Sequence, residues 1–351
     1  MSSSDLPPGL DPEDAAGGRA GDQDQPGPGP APPRIRPGAS IFTIEGRSAP
    51  ALFVVGWLAT LLGFGLVAVG ILSGGGAASL ALFIVGLALL SLGLIAGAGS
   101  QGIERRVGGV LAYRGPSPLL VFAASIPLSL LIGIATALPL GALGVPLDGP
   151  VGALLSVSIQ ALVYVALVRL LVVDPAALDW AAMGIRRLDR TALLEMGGGA
   201  LWAVPVIVVT AVVSSILLRI FPVQPVSPLP PTGEPVGFAL SLLAGVIVAP
   251  LGEELLFRGF ATTAWVRGLG SRRGLVLAAL VFAFAHVLTV TGTNLGEAFG
   301  LAVVGFASRV PIALALGWIF LRRGTIWASF GLHAAFNAIL LILAEALSRS
   351  I

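Results

Sequence analysis

The sequence predicts an all-α fold: a polytopic transmembrane helix bundle of about nine spans behind a disordered N-terminal tail. Three observations carry that prediction. Charged residues make up 11% of the chain, against about 25% in an ordinary soluble protein, too few to cover two water-soluble domains. From residue 50 onward the chain is a series of long apolar runs. Most of them approach the ~20 residues that a helix needs to cross ~30 Å of hydrocarbon. No run shows the ~10-residue alternation of a transmembrane β-barrel, and a helix satisfies its own backbone in lipid. An ordinary cytosolic enzyme and a nucleic-acid-binding domain are thereby excluded. The pI is near 9.9 but the net charge is only +2, and basic residues cluster no further than pairs, so no nucleic-acid partner is expected. With no cysteine there is no disulfide, thiolate nucleophile or Cys-ligated metal.

Residues 1–40 carry nine prolines, many glycines and several acids, with no apolar periodicity. Such a stretch cannot offset its ordering entropy and reads as a disordered acidic tail. It lacks a basic n-region and is not a signal peptide. Spans follow near 50–72, 78–98, 118–142, 151–173, 197–220, 238–265, 274–290, 299–321 and 325–346. The seventh is the shortest. Residues 41–196 are read as accessory helices plus an interfacial segment, and 197–351 as the transmembrane core that carries the candidate site residues. The interfacial segment, 174–196, mixes Asp179, Trp180, Ile185, Arg186, Arg187 and Arg190, which suits a helix lying on the membrane surface or a solvated loop. Gly70/Gly74 and Gly93/Gly97 have the spacing of close helix contacts. Gly97, Gly99 and Gly102 match Gly-x-Gly-x-x-Gly but follow a membrane span rather than a strand, so they do not indicate a dinucleotide site.

The loops alternate in arginine content. Arg19 to Arg47, Arg105 to Arg114, Arg186 to Arg190, Arg267 to Arg273 and Arg322/Arg323 mark one side. The loops around residues 73–76, 148, 222–235 and 291–297 are arginine-free. The positive-inside rule then places the N-terminus in the cytoplasm and the C-terminus outside, in a multi-pass protein of the cell membrane whose lipid is its first partner.

An ionisable residue within a span costs at least ~2.5 kcal/mol and is a functional candidate by default. The sixth span holds Glu253, Glu254 and Arg258. Glu254 and Arg258 are four apart with the acid first, the favoured order for a helical ion pair. Glu253 points elsewhere and is the free carboxylate, a plausible base. Pro250 cannot donate to Val246, so the helix is disturbed just before the acids. Both histidines of the chain, His286 and His333, lie in later spans. His333 and Asn337 share one helix face and can donate to one point, as an oxyanion requires. His286 is a second group able to position water. Together these residues suit amide hydrolysis by an activated water. Neither a Gly-x-Ser-x-Gly elbow nor His-Glu-x-x-His is present. Arg169, Arg309 and Glu345 are read as structural charges near helix ends, whose heads can reach the interface.

Glu253-Glu254…Arg258, Phe282…His286 and His333…Asn337, in this order on separate spans, resemble the type II CAAX prenyl endopeptidases, the CPBP family of CAAX proteases and bacteriocin-processing proteins. The resemblance covers residues 238–341. It implies an intramembrane glutamic endopeptidase acting on a membrane-associated or lipidated protein or peptide. In that family's terms Glu253 and His286 activate the water, His333 and Asn337 form the oxyanion hole, and Glu254 with Arg258 holds the site together. It implies no cofactor, although Glu253, His286 and His333 are residue types that can bind Zn²⁺. The alternatives are a non-catalytic membrane scaffold or bacteriocin self-immunity protein, and a proton-coupled carrier. The catalytic reading sets a geometric condition. Glu253 and His286 must lie within about 10 Å of each other if they are to share a water. For that the sixth helix must run on to about Arg267.

Overall fold

The computed structural model describes residues 44, 46–109, 111–224 and 230–349. The tail expected over 1–40 lies outside them. The described residues form nine long helical segments and no strand. They are α1 (Pro50–Leu72), α2 (Ala77–Gly108), α3 (Pro118–Ala142), α4 (Pro150–Val173), α5 (Arg190–Ile220), α6 (Pro235–Leu269), α7 (Ser271–Ala285), α8 (Leu295–Arg323) and α9 (Ile326–Ser348). Eight are long and apolar enough to cross a membrane. The chain is a multi-pass membrane protein. The ninth segment is α7, the seventh expected span. Its 15 residues extend ~22 Å at 1.5 Å per residue, short of the ~30 Å of a hydrocarbon core.

The helix ends follow local chemistry. Proline opens α1, α3, α4 and α6, where its missing N–H has no intrahelical partner to lose. Gly109 and Gly324 close α2 and α8 in the left-handed conformation that glycine adopts without strain. Asp189, Asn294 and Thr325 cap the starts of α5, α8 and α9 with side-chain oxygens. Beyond α2, Tyr113 donates to the Pro116 carbonyl at 3.0 Å. Burial raises its phenol above the ordinary value, so this donor persists at physiological pH.

Close helix contact between α1 and α2 runs on a seven-residue rhythm. Gly56, Gly63 and Gly70 of α1 face Ser79, Gly86, Gly93 and Ser100 of α2, and all seven are buried. A Cβ at Gly63 would come within 2.3 Å of the Leu90 backbone nitrogen, so only glycine permits this approach. The four-residue pairing expected of Gly70 and Gly74 does not form. Gly74 stands in the turn after α1 with no neighbour within 4 Å of a Cβ there. A strict repeat of seven keeps one face on an antiparallel partner over many turns. A pair four apart covers barely one.

The interfacial helix expected within 174–196 is also absent. Residues 174–189 form turns, and helix resumes only at Arg190. Met183 is fully buried, with its carbonyl against Gly259 of α6. Leu178 and Met183 of this segment are drawn into the bundle, while Leu188 stays exposed.

The stretch Glu254–Thr262 of α6 is buried at every one of its nine residues. It is the axis of the fold, packed by α3, α4, α7, α8 and α9. The apolar core gathers Phe257, Phe260, Phe282, Leu316, Ile319 and Leu332 around it.

Candidate functional site

α6 is not a plain α-helix near the acids. Leu243–Val248 and Glu254–Thr262 are π-helical, with a short α-helical piece, Ala249–Glu253, between them. Pro250 lacks the N–H needed to continue a regular ladder, and the wider turns flank it. Such bulges re-aim side chains and are frequent at functional sites. Gly252 brings α6 onto α4: a Cβ there would lie 2.8 Å from the Ala161 Cβ.

The helix continues to Leu269, beyond the expected Arg267, and turns at Gly270 into α7. Glu253 and His286 thus lie at similar distances along neighbouring helices, ~24 and ~22 Å from that turn. His286 Nε2 is 3.8 Å from Glu253 Oε2, well inside the 10 Å condition. His333 Nε2 is 3.7 Å from the same oxygen. Glu253 Oε2 is buried and has no hydrogen-bond partner among the described residues. The chain's two histidines and its free intramembrane carboxylate therefore meet at one point.

The other nitrogen of each ring is committed. His286 Nδ1 is 2.8 Å from the Phe282 carbonyl. A carbonyl only accepts, so Nδ1 carries the hydrogen and Nε2 is left to face Glu253. The same bond satisfies a carbonyl at the open end of α7. His333 Nδ1 is 2.8 Å from Glu254 Oε1, and the carboxylate accepts from Nδ1–H. Two imidazole Nε2 atoms and one carboxylate oxygen consequently converge on the same small volume, each able to accept a proton.

Glu254 and Arg258 form the expected pair, with Arg258 Nη1 3.1 Å from Glu254 Oε1 and side-chain exposures of 2% and 0%. The guanidinium lies 4.0 Å over the Phe282 ring. Phe282 also packs against Phe257 at 5.2 Å, His286 at 4.5 Å and His333 at 5.9 Å between ring centroids. It is a central wedge that holds both imidazoles and covers the buried cation. Asn337 Nδ2 donates to the Gly245 carbonyl at 2.7 Å, a carbonyl in the first π-helical stretch. Asn337 thereby ties α9 to α6, and one of its amide hydrogens is spent on this contact. Among the described residues no group of three His, Cys, Asp or Glu side chains is arranged to hold a metal ion.

Two expectations about other charges need correction. Arg309 does not lie near a helix end: it is midway along α8, half-buried, and donates to the Gly305 carbonyl at 2.9 Å. Glu345 does not reach out to an interface. It is buried near the end of α9 and accepts from the backbone N–H of Thr232 and Gly233 at 2.8 and 3.0 Å, and from Arg349. It anchors the chain just before α6. Arg169 is exposed at the end of α4, 3.6 Å from Asp174, as a surface charge should be. The sequence signal for Arg309 is its place midway along the expected span 299–321, where a charge is a functional candidate by default.

Beside the site a cavity of about 490 Å³ lies between α3 and α4. Phe122, Ile126, Leu130, Leu155 and Ile159 make it apolar, Gln160 and Ser129 add polar groups, and Tyr164 and Ala285 bring it to the neighbourhood of Glu253 and His286.

Residues 235–339 match the family model described as Type II CAAX prenyl endopeptidase Rce1-like. Over this segment the chain is similar to the Rce1-like CAAX protease domain. The Rce1-like segment opens with α6 and contains all six residues singled out from sequence. Neither a curated protein nor a solved structure matches the chain. The family is one of membrane proteases acting on proteins or peptides.

Proposed function

We propose that this protein is an intramembrane glutamic endopeptidase that hydrolyses a peptide bond of a membrane-associated or lipidated protein or peptide. The observation that carries this reading is the convergence of Glu253 Oε2 with His286 Nε2 and His333 Nε2 at 3.8 and 3.7 Å. Three proton acceptors around one small volume suit a water that must lose a proton as it attacks. Glu253, helped by His286, takes that proton, and the water oxygen bonds to the scissile carbonyl carbon. The tetrahedral oxyanion is met by the second amide hydrogen of Asn337; His333, whose Nδ1–H is spent on Glu254, joins it by donating from Nε2 once that nitrogen has taken up a proton. The C–N bond then breaks as the proton passes from Glu253 to the leaving amine. Glu254 and Arg258 take no part in proton transfer; they fix His333 and the helix. The apolar cavity beside the site supports a lipid-like or membrane-borne substrate. The arginine-rich loops support a cytoplasmic N-terminus and an external C-terminus.

The test is cleavage of a membrane-protein substrate pool by the purified chain. Comparing membrane fractions with and without Glu253→Gln by proteomics names substrates as it tests activity. Loss of the same fragments in Glu253→Gln and His286→Ala, with both variants folded, is the expected result. Undiminished cleavage in both variants would refute the roles. A scaffold or immunity function would instead leave biological activity intact in Glu253→Gln.

A further inference from the structure

Outside the six residues already discussed, one charge lies in the interior of the bundle close to the site. Arg309 is the fifteenth of the 29 residues of α8, and a cation there is costly unless it has a use. No carboxylate lies within ion-pair distance of it among the described residues. Its one hydrogen bond is to its own helix, from Nη1 to the Gly305 carbonyl. This bond folds the side chain back along α8, toward α7. A Cβ at Gly305 would lie 3.5 Å from Arg309 Nη1 and 3.1 Å from Val287 Cγ1. The guanidinium therefore sits beside the residue that follows His286. His286 in turn has Nε2 3.8 Å from Glu253 Oε2. Arg258, the other interior cation, is already held by Glu254 and stacked on Phe282. Two charges of opposite sign are thus left over beside the site, Glu253 and the half-buried Arg309, with no ion pair between them.

We propose that Arg309 is the fixed cation that stabilises the anion formed on the substrate during hydrolysis. The inference rests on the proteolytic reading above and extends it. When water adds, its proton neutralises Glu253 and the negative charge reappears on the carbonyl oxygen. The site's net charge is unchanged, but the charge has moved. A cation near Glu253, yet not bonded to it, attracts that charge in its new position without first having to release an ion pair. Neutral donors alone do this less well in a low-dielectric interior, and Asn337 has one of its two amide hydrogens tied to Gly245. α8 therefore contributes to the chemistry although none of the three sequence signatures lies on it.

The experiment measures binding as well as rate. A hydrophobic phosphinate pseudopeptide carries a negative charge where the intermediate would. Its ketomethylene counterpart has a similar shape and is neutral. Affinity for both is measured by calorimetry on the full chain in detergent, as wild type, R309K, R309Q and R309M. The expected result is a 10- to 100-fold weaker phosphinate in R309Q, recovered to within about fivefold by R309K, with the ketomethylene changed less than threefold in all. The kcat for a peptide that the wild type cleaves should fall in parallel, with KM nearly constant. R309M keeps the aliphatic stem, so it gives the answer if R309Q fails to fold. Equal weakening of both ligands, or no preference of wild type for the charged one, would overturn the proposal. Absence of cleavage by wild type would instead refute the proteolytic reading, and charge-selective binding would still report on Arg309.

Discussion

Glu253 and Glu254 are adjacent in sequence, yet their replacement by glutamine should have opposite consequences. Glu254 is fully buried, pairs with Arg258 at 3.1 Å and accepts from His333 at 2.8 Å. Glu254→Gln keeps the shape but leaves the Arg258 guanidinium, only 2% exposed, without its counter-charge. Breaking one side of a buried pair costs about 3–5 kcal/mol. The charge-assisted bond to His333 is worth about 1.5–3 kcal/mol and is part of that total, since the same carboxylate makes both contacts. A loss of ~4 kcal/mol lowers the folded-to-unfolded ratio about a thousandfold. Glu253→Gln removes a carboxylate whose Oε2 has no hydrogen-bond partner, so stability should stay within about 1 kcal/mol of wild type or rise. The assay is reversible unfolding of each variant in mixed micelles, followed by circular dichroism, with cleavage measured on the same preparations. Glu254→Gln should be destabilised, and Glu253→Gln should be stable and inactive. Replacing both partners, Glu254→Leu with Arg258→Met, should recover much of the lost stability because no charge is then stranded. A Glu254→Gln protein within 1 kcal/mol of wild type would refute the buried-pair reasoning.

Three other outcomes are expected. Phe282→Ala removes the wedge beneath both imidazoles and the cover of Arg258, and should cost about 3–5 kcal/mol with loss of cleavage. Phe282→Leu, which keeps most of the volume, should lose less stability on the same unfolding assay. Gly63→Leu forces α1 from α2, because its side chain would start 2.3 Å from the Leu90 nitrogen. It should lower stability by about 1–3 kcal/mol while leaving KM unchanged at temperatures where the protein is folded. The cysteine-free chain allows topology to be read from single cysteines at Arg187 and Thr232. A membrane-impermeant maleimide applied to intact cells should label Thr232→Cys and not Arg187→Cys, and the reverse pattern would invert the orientation.

Much of the site was legible because polar groups are so scarce. Glu253, Glu254 and Arg258 stand out in a span that tolerates few charges, and only two histidines were available to join them. The i,i+4 spacing of Glu254 and Arg258 reports a contact directly, since residues four apart share a helix face. Contacts between helices leave no such trace. That His333 bonds to Glu254 while also facing Glu253, that Phe282 supports both rings, and that Asn337 spends a hydrogen on Gly245 depend on the π-helical turns of α6. Their registers do not follow from a 3.6-residue repeat. Arg309, expected near a helix end, lies midway along α8, and its hydrogen bond to its own helix is invisible to a hydropathy pattern.

The class of the protein, the count of its long helices and the candidate site residues all follow from the amino-acid order alone. Apolar length and charge scarcity are local quantities, and lipid leaves the backbone almost no choice but helix. Packing was needed to show that α7 stops after 15 residues, at Ala285, that Glu345 is buried as a clamp on Thr232 and Gly233, and that Glu253 meets both histidines at one point. Each depends on where one helix ends and how another packs against it, and a hydropathy pattern records neither. The 11% charge that marks a membrane protein therefore acquires its meaning only in the packed bundle, where the few interior charges are brought together.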